Sequence, residues 1–279
     1  MITTDQLAYI EEHAYIPEHM IHYVTAVSQA EPFLFGAYLA YSKKDLLIFI
    51  GYPLKEAFEE KRMERALNEA RRRFKPKEVS LAAPKVPSSM ASHTQSSSDY
   101  YYKLDLSALS ISQKLRNMLK RAGRDLVVER MRGLDKEHYQ MVNEFFNTHM
   151  VDEPTQFIIK RIPEYLSSAP SVWVFNARKK GGALAAFDIA EFGARHYAIY
   201  MFNFTSRSHY IPGASDLLLF EVIKFAKEEN KEFVNLGLGI NTGVTFFKKK
   251  WGGVPFYPYA FCRTSLLKQE TQNSLLNKL

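Results

Sequence analysis

Between Lys55 and Phe74 the apolar positions Phe58, Met63, Ala66, Leu67, Ala70 and Phe74 recur at helical spacing, which predicts a helix. Glutamates 56, 59 and 60 near its start and Arg71, Arg72 and Arg73 at its end complement the helix dipole. Upstream, residues 3–30 read as two short helices, the first capped by Thr4 or Asp5 and the second begun by Pro17. The runs Phe33–Tyr41 and Leu46–Gly51 are rich in aromatic and β-branched residues and are split by turn chemistry at Ser42–Asp45, a hairpin signal. Val79–Ala83 is a short strand.

Residues 84–99 break the pattern with Pro84, Pro87 and a serine-rich run, which marks a linker. Apolar periodicity then resumes. Strands are expected at Tyr100–Leu106, Leu126–Met131, Val172–Ala177, Ala183–Ala190, Arg195–Phe204, Glu232–Leu236 and Val254–Cys262. Helices are expected at Ser107–Arg124, Asp135–Met150, Pro163–Ser168, Asp216–Glu229 and Thr242–Lys250. Glycine-bearing turns at 179–182 and 191–194 make the three middle strands an antiparallel meander. The order is β, α, α, meander, α, β, α, β, and the polar tail from Ser265 adds no element. The shift at 84–99 divides the chain into an N-terminal lobe, 1–99, and a C-terminal domain, 100–279, of mixed α/β class.

The chain has 279 residues, 46% of them hydrophobic, enough to bury two cores. Its formal charge of +7 suits an anionic partner or is plain solubilising charge. The single cysteine, Cys262, excludes an internal disulfide and a thiolate zinc site; flanked by Phe261 and Arg263, it reads as a buried structural thiol. His13, His19 and His22 have no acidic or cysteine ligand at metal spacing and read as surface residues, so no metal is expected. Met1–Ile10 is not signal-like, and no apolar run approaches the roughly 20 residues a membrane helix needs. A soluble, cytoplasmic chain without stable membrane insertion is the expectation. P-loop, dinucleotide and serine-elbow motifs are missing from the sequence.

Two stretches carry a family resemblance. Ser112–Glu129 is a basic helix, with Arg116, Asn117, Lys120 and Arg121, leading into a short strand. Ala214–Gly253 holds a helix ending Ala-Lys-Glu-Glu, the strand Phe233-Val-Asn-Leu-Gly237, and Thr245-Phe-Phe-Lys-Lys-Lys-Trp-Gly-Gly253, whose Phe-Lys-x-x-Trp-Gly ending is the most specific piece. With the element order these stretches resemble the GNAT superfamily in its FemAB-like branch over about 160 residues. The N-terminal lobe resembles a shortened copy of the same plan, which suggests two GNAT-like lobes in tandem.

The resemblance implies an acyltransferase that moves an acyl group from an acyl-CoA donor, acetyl-CoA for example, to an amine or hydroxyl on a small-molecule or peptide acceptor. It equally admits an aminoacyl-tRNA donor, favoured by the basic helix and the net charge, or a catalytically silent GNAT-like binding module. In the GNAT plan the donor lies where the strand after the meander's second turn, here Arg195–Phe204, parts from the next parallel strand. That implies donor contacts at Met201 and Asn203, a phosphate cradle at Gly213, Ala214 and Ser215, and charge from Lys248. The loop Tyr210-Ile-Pro-Gly-Ala-Ser-Asp216 departs from the usual Gln/Arg-x-x-Gly-x-Gly/Ala pattern at Tyr210 and Ser215; its plainer reading is a Pro-Gly turn with Ser215 as helix cap. Asp216, in the first helical turn, would compete with an anion. Asp188, Glu191, His196 and Tyr200, on or beside the meander, are base or acid candidates, and Asn203 and Asn235 could orient substrate. We take Asp188, Tyr200 and Asn235 as the catalytic set, and expect one cleft walled by Asn203, Gly213, Ala214, Ser215 and Asn235.

Overall fold

The computed structural model describes residues 2–91 and 97–265; part of the 84–99 linker and the tail beyond Ser265 lie outside them. The N-terminal part comprises α1 (Thr4–His13), a 3-10 turn (Pro17–His19), α2 (Ile21–Ser28), strands β1 (Glu31–Phe35), β2 (Tyr38–Lys43) and β3 (Leu46–Ile50), α3 (Glu60–Phe74), β4 (Glu78–Ala83) and the short α4 (Ser88–Ala91). Then follow β5 (Ser97–Asp105), α5 (Gln113–Asp125), β6 (Leu126–Met131), α6 (Lys136–Thr148), α7 (Glu153–Lys160), α8 (Ile162–Ser168), β7 (Val172–Lys179), β8 (Leu184–Glu191), β9 (Tyr197–Thr205), α9 (Ala214–Glu228), β10 (Phe233–Leu238), α10 (Thr242–Lys250) and β11 (Val254–Ser265).

The sequence pattern misplaced several bounds for identifiable reasons. The run 33–41 is two strands, because Gly36 takes φ +60 and turns the chain between Phe35 and Tyr38. The helix after the linker starts at Gln113, where Ser112 accepts from the Leu115 amide, and residues 107–111 precede it. Residues 97–99 belong to β5 rather than to a linker. Helix α7 escaped notice although Asp152 caps it and Pro154 sits in its first turn. His19 is not a surface residue: it is fully buried, with Nε2 3.1 Å from the Tyr52 carbonyl.

All strands join one sheet in the order β1-β2-β3-β4-β11-β5-β10-β9-β8-β7-β6. Among the described strands only β3/β4 and β9/β10 are parallel. The topology repeats: a meander (β1–β2–β3 or β7–β8–β9), a crossover helix (α3 or α9), then a parallel strand (β4 or β10). Each parallel strand is flanked by a distant antiparallel one, β10 by β5 and β4 by β11. Strand β11 pairs with β5 through its first half and with β4 through its second, so it ties the two repeats into one sheet.

Helices α5 and α9 cover one face of the C-terminal repeat, burying Leu115, Leu119, Leu218 and Val222 against β5 and the meander. Helix α3 packs Met63, Leu67 and Ala70 onto β1–β4, beside the buried Cys262 of β11. Gly51 permits that contact, because a Cβ there would lie 2.6 Å from both Ala83 Cβ and Met63 Sδ. The opposite face is covered by α1, α2 and the α6–α8 group, with Tyr41, Tyr52 and Tyr101 buried where the repeats meet. Burial pushes the Cys262 thiol up to about 11, which suits its structural role. Among the described residues no helix is long and apolar enough to cross a membrane.

Candidate functional site

Strands β9 and β10 run parallel and pair only through Phe233–Asn235 with Tyr197–Ile199; beyond those residues they part. The cause is in β9. Ile189 of β8 faces Phe202 and Ala190 faces Tyr200, so Met201 is an extra residue, a β-bulge. The bulge puts Met201 and Phe202 both on the face covered by α2 and α6–α8, while Tyr200 packs against the α5/α9 core. Strand β10 has its own irregularity between Asn235 and Leu238, where Gly237 takes φ +75. A Cβ on Gly237 would lie 3.6 Å from Lys248 Nζ and 3.7 Å from the Tyr200 carbonyl, so these groups border the opening.

Asp188 and Asn203 are cross-strand partners, and Asn203 Nδ2 donates to Asp188 Oδ1 at 2.5 Å. Asn203 Oδ1 in turn accepts from Ser215 Oγ at 3.2 Å, tying β9 to the start of α9. The other Asp188 oxygen and the Tyr200 hydroxyl are buried beside one another and, with Thr25 Oγ1, are the buried side-chain oxygens among the described residues that lack a partner of good hydrogen-bond geometry. The Tyr200 ring is only partly buried although its hydroxyl is sequestered. Buried polar atoms of this kind are rare and mark places where a ligand or water belongs. Burial holds the Asp188 carboxyl up at about 8, so it is largely protonated at neutral pH. Burial, reinforced by the neighbouring Asp188, pushes the Tyr200 phenol well up.

Helix α9 begins without a side-chain cap, and its N-cap is Gly213 at φ +85, not Ser215. The glycine has two local reasons. Its backbone angle is left-handed, and a Cβ would lie 2.9 Å from Met118 Cγ of α5. The second reason corrects the idea that Gly213 exists only to let a phosphate approach: its open side faces α5. Asp216 does not repel an anion as its position suggests, because its buried carboxylate takes Trp251 Nε1 at 2.9 Å and Lys250 Nζ at 2.6 Å.

The Phe-Lys-x-x-Trp-Gly stretch now has a physical account. On α10, Phe247 packs into the core, Trp251 locks Asp216, and Gly252 ends the helix at φ +88. Gly253 passes so close to β10 that a Cβ would sit 2.8 Å from both Leu236 Cδ1 and the Lys248 carbonyl. Phe246 is 69% exposed, whereas Lys248, the first of three successive lysines, is 4% exposed. The Lys248 ammonium donates to the Leu238 carbonyl and sits 5.8 Å from the Tyr102 ring centroid. Burial lowers its pKa to about 7, with Asp99 opposing.

The structure thus brings together Asp188, Tyr200, Asn203, Ala214 and Ser215, with Lys248 across the opening. It does not bring Asn235 or the Met201 side chain to them. Asn235 is on the opposite face, donating to the Tyr15 carbonyl at 2.7 Å and accepting from the Gly237 amide. Met201 packs with Met20 and Ile199. The expected five-residue cleft is therefore divided between two faces at Asn235, because the residue lies one step out of phase with Val234 and Leu236, which enter the α9 core. Glu191 accepts Tyr165 Oη and its own turn amides, and His196 pairs with Glu12 and Glu232 on the surface; both are structural. Among the described residues no group of three metal-ligating side chains occurs.

No family model matches the chain, and no curated protein matches it. Solved structures do. The chain is similar to FemX (10% identity, TM-score 0.63, covering 93% of this chain and 96% of that one). It is similar to L-PGS from Bacillus licheniformis (14%, 0.60, 94% and 92%). It is also similar to a tandem GNAT protein from the clavulanic acid biosynthesis pathway (12%, 0.58, 93% and 93%). Near-complete coverage at such low identity shows the fold alone: the chain has the GNAT-like, two-repeat fold of FemX and the tandem GNAT protein.

Proposed function

We propose that the chain is an acyltransferase that binds an acyl-CoA-type donor where β9 and β10 part and passes its acyl group to an amine or hydroxyl of a small-molecule or peptide acceptor. The observation that carries this is the bulge-driven opening between two parallel strands, with the uncapped start of α9 beside it. Phosphates suit that helix start, whose amides lack side-chain partners and whose dipole favours negative charge. The pantetheine arm would follow the unpaired edge of β9. A further similar structure, a GCN5-related N-acetyltransferase from Kribbella flavida (12% identity, TM-score 0.50), supports this class without fixing donor or acceptor.

Within the opening each group has a chemical use. Lys248, held near neutrality, can donate to the oxyanion of a tetrahedral intermediate. The Tyr200 hydroxyl, held neutral beside Asp188, can give a proton to the departing sulfur or oxygen. Asn203 holds Asp188 and Ser215 in register with both.

Calorimetry with acetyl-CoA tests the donor. Saturable heat is expected, weakened at least tenfold by Ser215→Glu, which places a charge at the phosphate position while suiting the helix start otherwise. Silence with acetyl-CoA rejects a CoA donor, and acetyl-CoA binding without turnover on any acceptor would favour a catalytically silent module. The aminoacyl-tRNA alternative has its own support: Lys114, Arg116, Lys120, Arg121 and Arg124 are all exposed on α5, the helix packed against Gly213. A charged tRNA that binds with a steep salt dependence would move the donor to that class.

A further inference from the structure

We propose that Glu18 and the tyrosines around it form the acceptor site, selective for a primary amine, on the sheet face opposite Ser215 and Asp188; this rests on the acyl-transfer reading above. Glu18 lies in the 3-10 turn of the N-terminal part and is partly buried. Tyr101 Oη donates to Glu18 Oε2 at 2.7 Å. Tyr101 is on β5 directly opposite Leu238, whose carbonyl holds Lys248. On the other side, Tyr23 of α2 feels the Glu18 charge and packs 6.3 Å from Phe202 of β9. The carboxylate is therefore linked to both strands that part, to β10 through Tyr101 of its neighbour β5 and to β9 through Tyr23 and Phe202.

Two features make the site suit a cation. Tyrosines cluster near it: Tyr23, Tyr41, Tyr52, Tyr101 and Tyr259 all feel the Glu18 charge, Tyr101 packs edge-on against Tyr52 at 5.7 Å and Tyr259 at 5.6 Å, and aromatic surroundings favour ammonium groups. Among the described residues no ion pair reaches Glu18, so a carboxylate that burial has made harder to ionise stands without a positive partner. An incoming ammonium would supply that partner. A raised proton affinity also fits the next requirement, removal of a proton to make the nitrogen nucleophilic.

The chemistry closes. The ammonium passes one proton to Glu18, and the nitrogen lone pair forms a C–N bond to the carbonyl carbon of the acyl thioester or ester. The carbonyl π pair moves to oxygen, then returns as the C–S or C–O bond breaks. The departing sulfur or oxygen takes a proton from the Tyr200 hydroxyl, which regains one as the nitrogen gives up its remaining extra proton, and Glu18 releases its proton to solvent. The N-terminal repeat thereby provides the base.

The test uses the full chain with 13C-methyl methionine, since Met20 and Met201 line this face. n-Pentylamine is the probe and 1-pentanol its neutral counterpart. Saturable shifts of the Met20 or Met201 methyls with the amine, at least tenfold weaker with the alcohol, are expected. Glu18→Gln keeps the Tyr101 bond and should weaken amine binding at least tenfold at unchanged Tm. Equal response to amine and alcohol, or undiminished binding by Glu18→Gln, overturns the site; the first comparison needs no variant. Thiol release from acetyl-CoA plus amine separates the two proposals. Release that Glu18→Gln leaves unaffected rejects the Glu18 site, whereas amine binding with no release from any donor rejects transfer and leaves the amine site standing.

Discussion

Two buried titratable groups give the site a pH signature with opposite signs. Asp188 has its folded pKa raised from 3.8 to about 8, so the folded state holds a proton that the unfolded chain has released. Stability should fall as pH rises between about 4 and 8. Lys248 has its folded pKa lowered from 10.5 to about 7, so the unfolded chain holds the extra proton, and stability should rise between about 7 and 10. On the acid side the Asp188 limb is opposed by buried His19, whose folded pKa is lowered to about 3, so each limb is read as the difference between the protein and its variant in denaturant unfolding across pH 4–10. Asp188→Asn should remove the falling contribution and Lys248→Met the rising one; a variant whose difference from the protein is flat across its own range contradicts the corresponding assignment. The chemistry of Lys248 was only half legible in the sequence. Its place in the Phe-Lys-x-x-Trp-Gly ending flagged it, but three successive lysines look alike until the helix phase buries one of them. Glu18 carried no signal at all, since its partners Tyr101 and Tyr259 are some 80 and 240 positions away.

At the scale of elements, the α10–β11 connection fixes the site's floor. Gly253→Ala forces a Cβ to within 2.8 Å of the Lys248 carbonyl and should destabilise by about 1–3 kcal/mol. Trp251→Phe removes the indole donor from buried Asp216 and should lose about 1.5–3 kcal/mol. Thermal unfolding reads both, and a neutral effect of either would mean the α9 start is held by something else. The element order was legible because long amphipathic stretches such as Asp216–Glu229 announce their period. The bulge at Met201 was not, because one extra residue in a strand leaves the apolar run unbroken and shows only in the partner strand's register. That single residue decides which side chains share a face: in a regular strand Phe202 would follow Tyr200, and with the extra residue it joins Met201 on the opposite face.

The whole molecule is one sheet built from two repeats, and their mutual dependence follows from β11. This strand pairs with β4 and β5 at once, and Asn235 of β10 is anchored on the Tyr15 carbonyl. A chain beginning at Ser97 would expose Tyr101 and the second half of β11 and should fail to unfold cooperatively; a sharp, reversible transition from that fragment would show the repeats to be independent. The repeat was faint in the sequence since Gly36 splits one apolar run into two strands, which hid the first meander.

The account's central claim is that the start of α9, beside the opening between β9 and β10, receives the donor. The most direct measurement is a titration of 15N-labelled protein with acetyl-CoA, following the backbone amides of Gly213, Ser215 and Asp216. The account predicts large, saturable shifts at these three amides, with Tyr200 and Gly237 following as the acyl arm enters. Saturable binding that moves amides elsewhere and leaves these in place would contradict it.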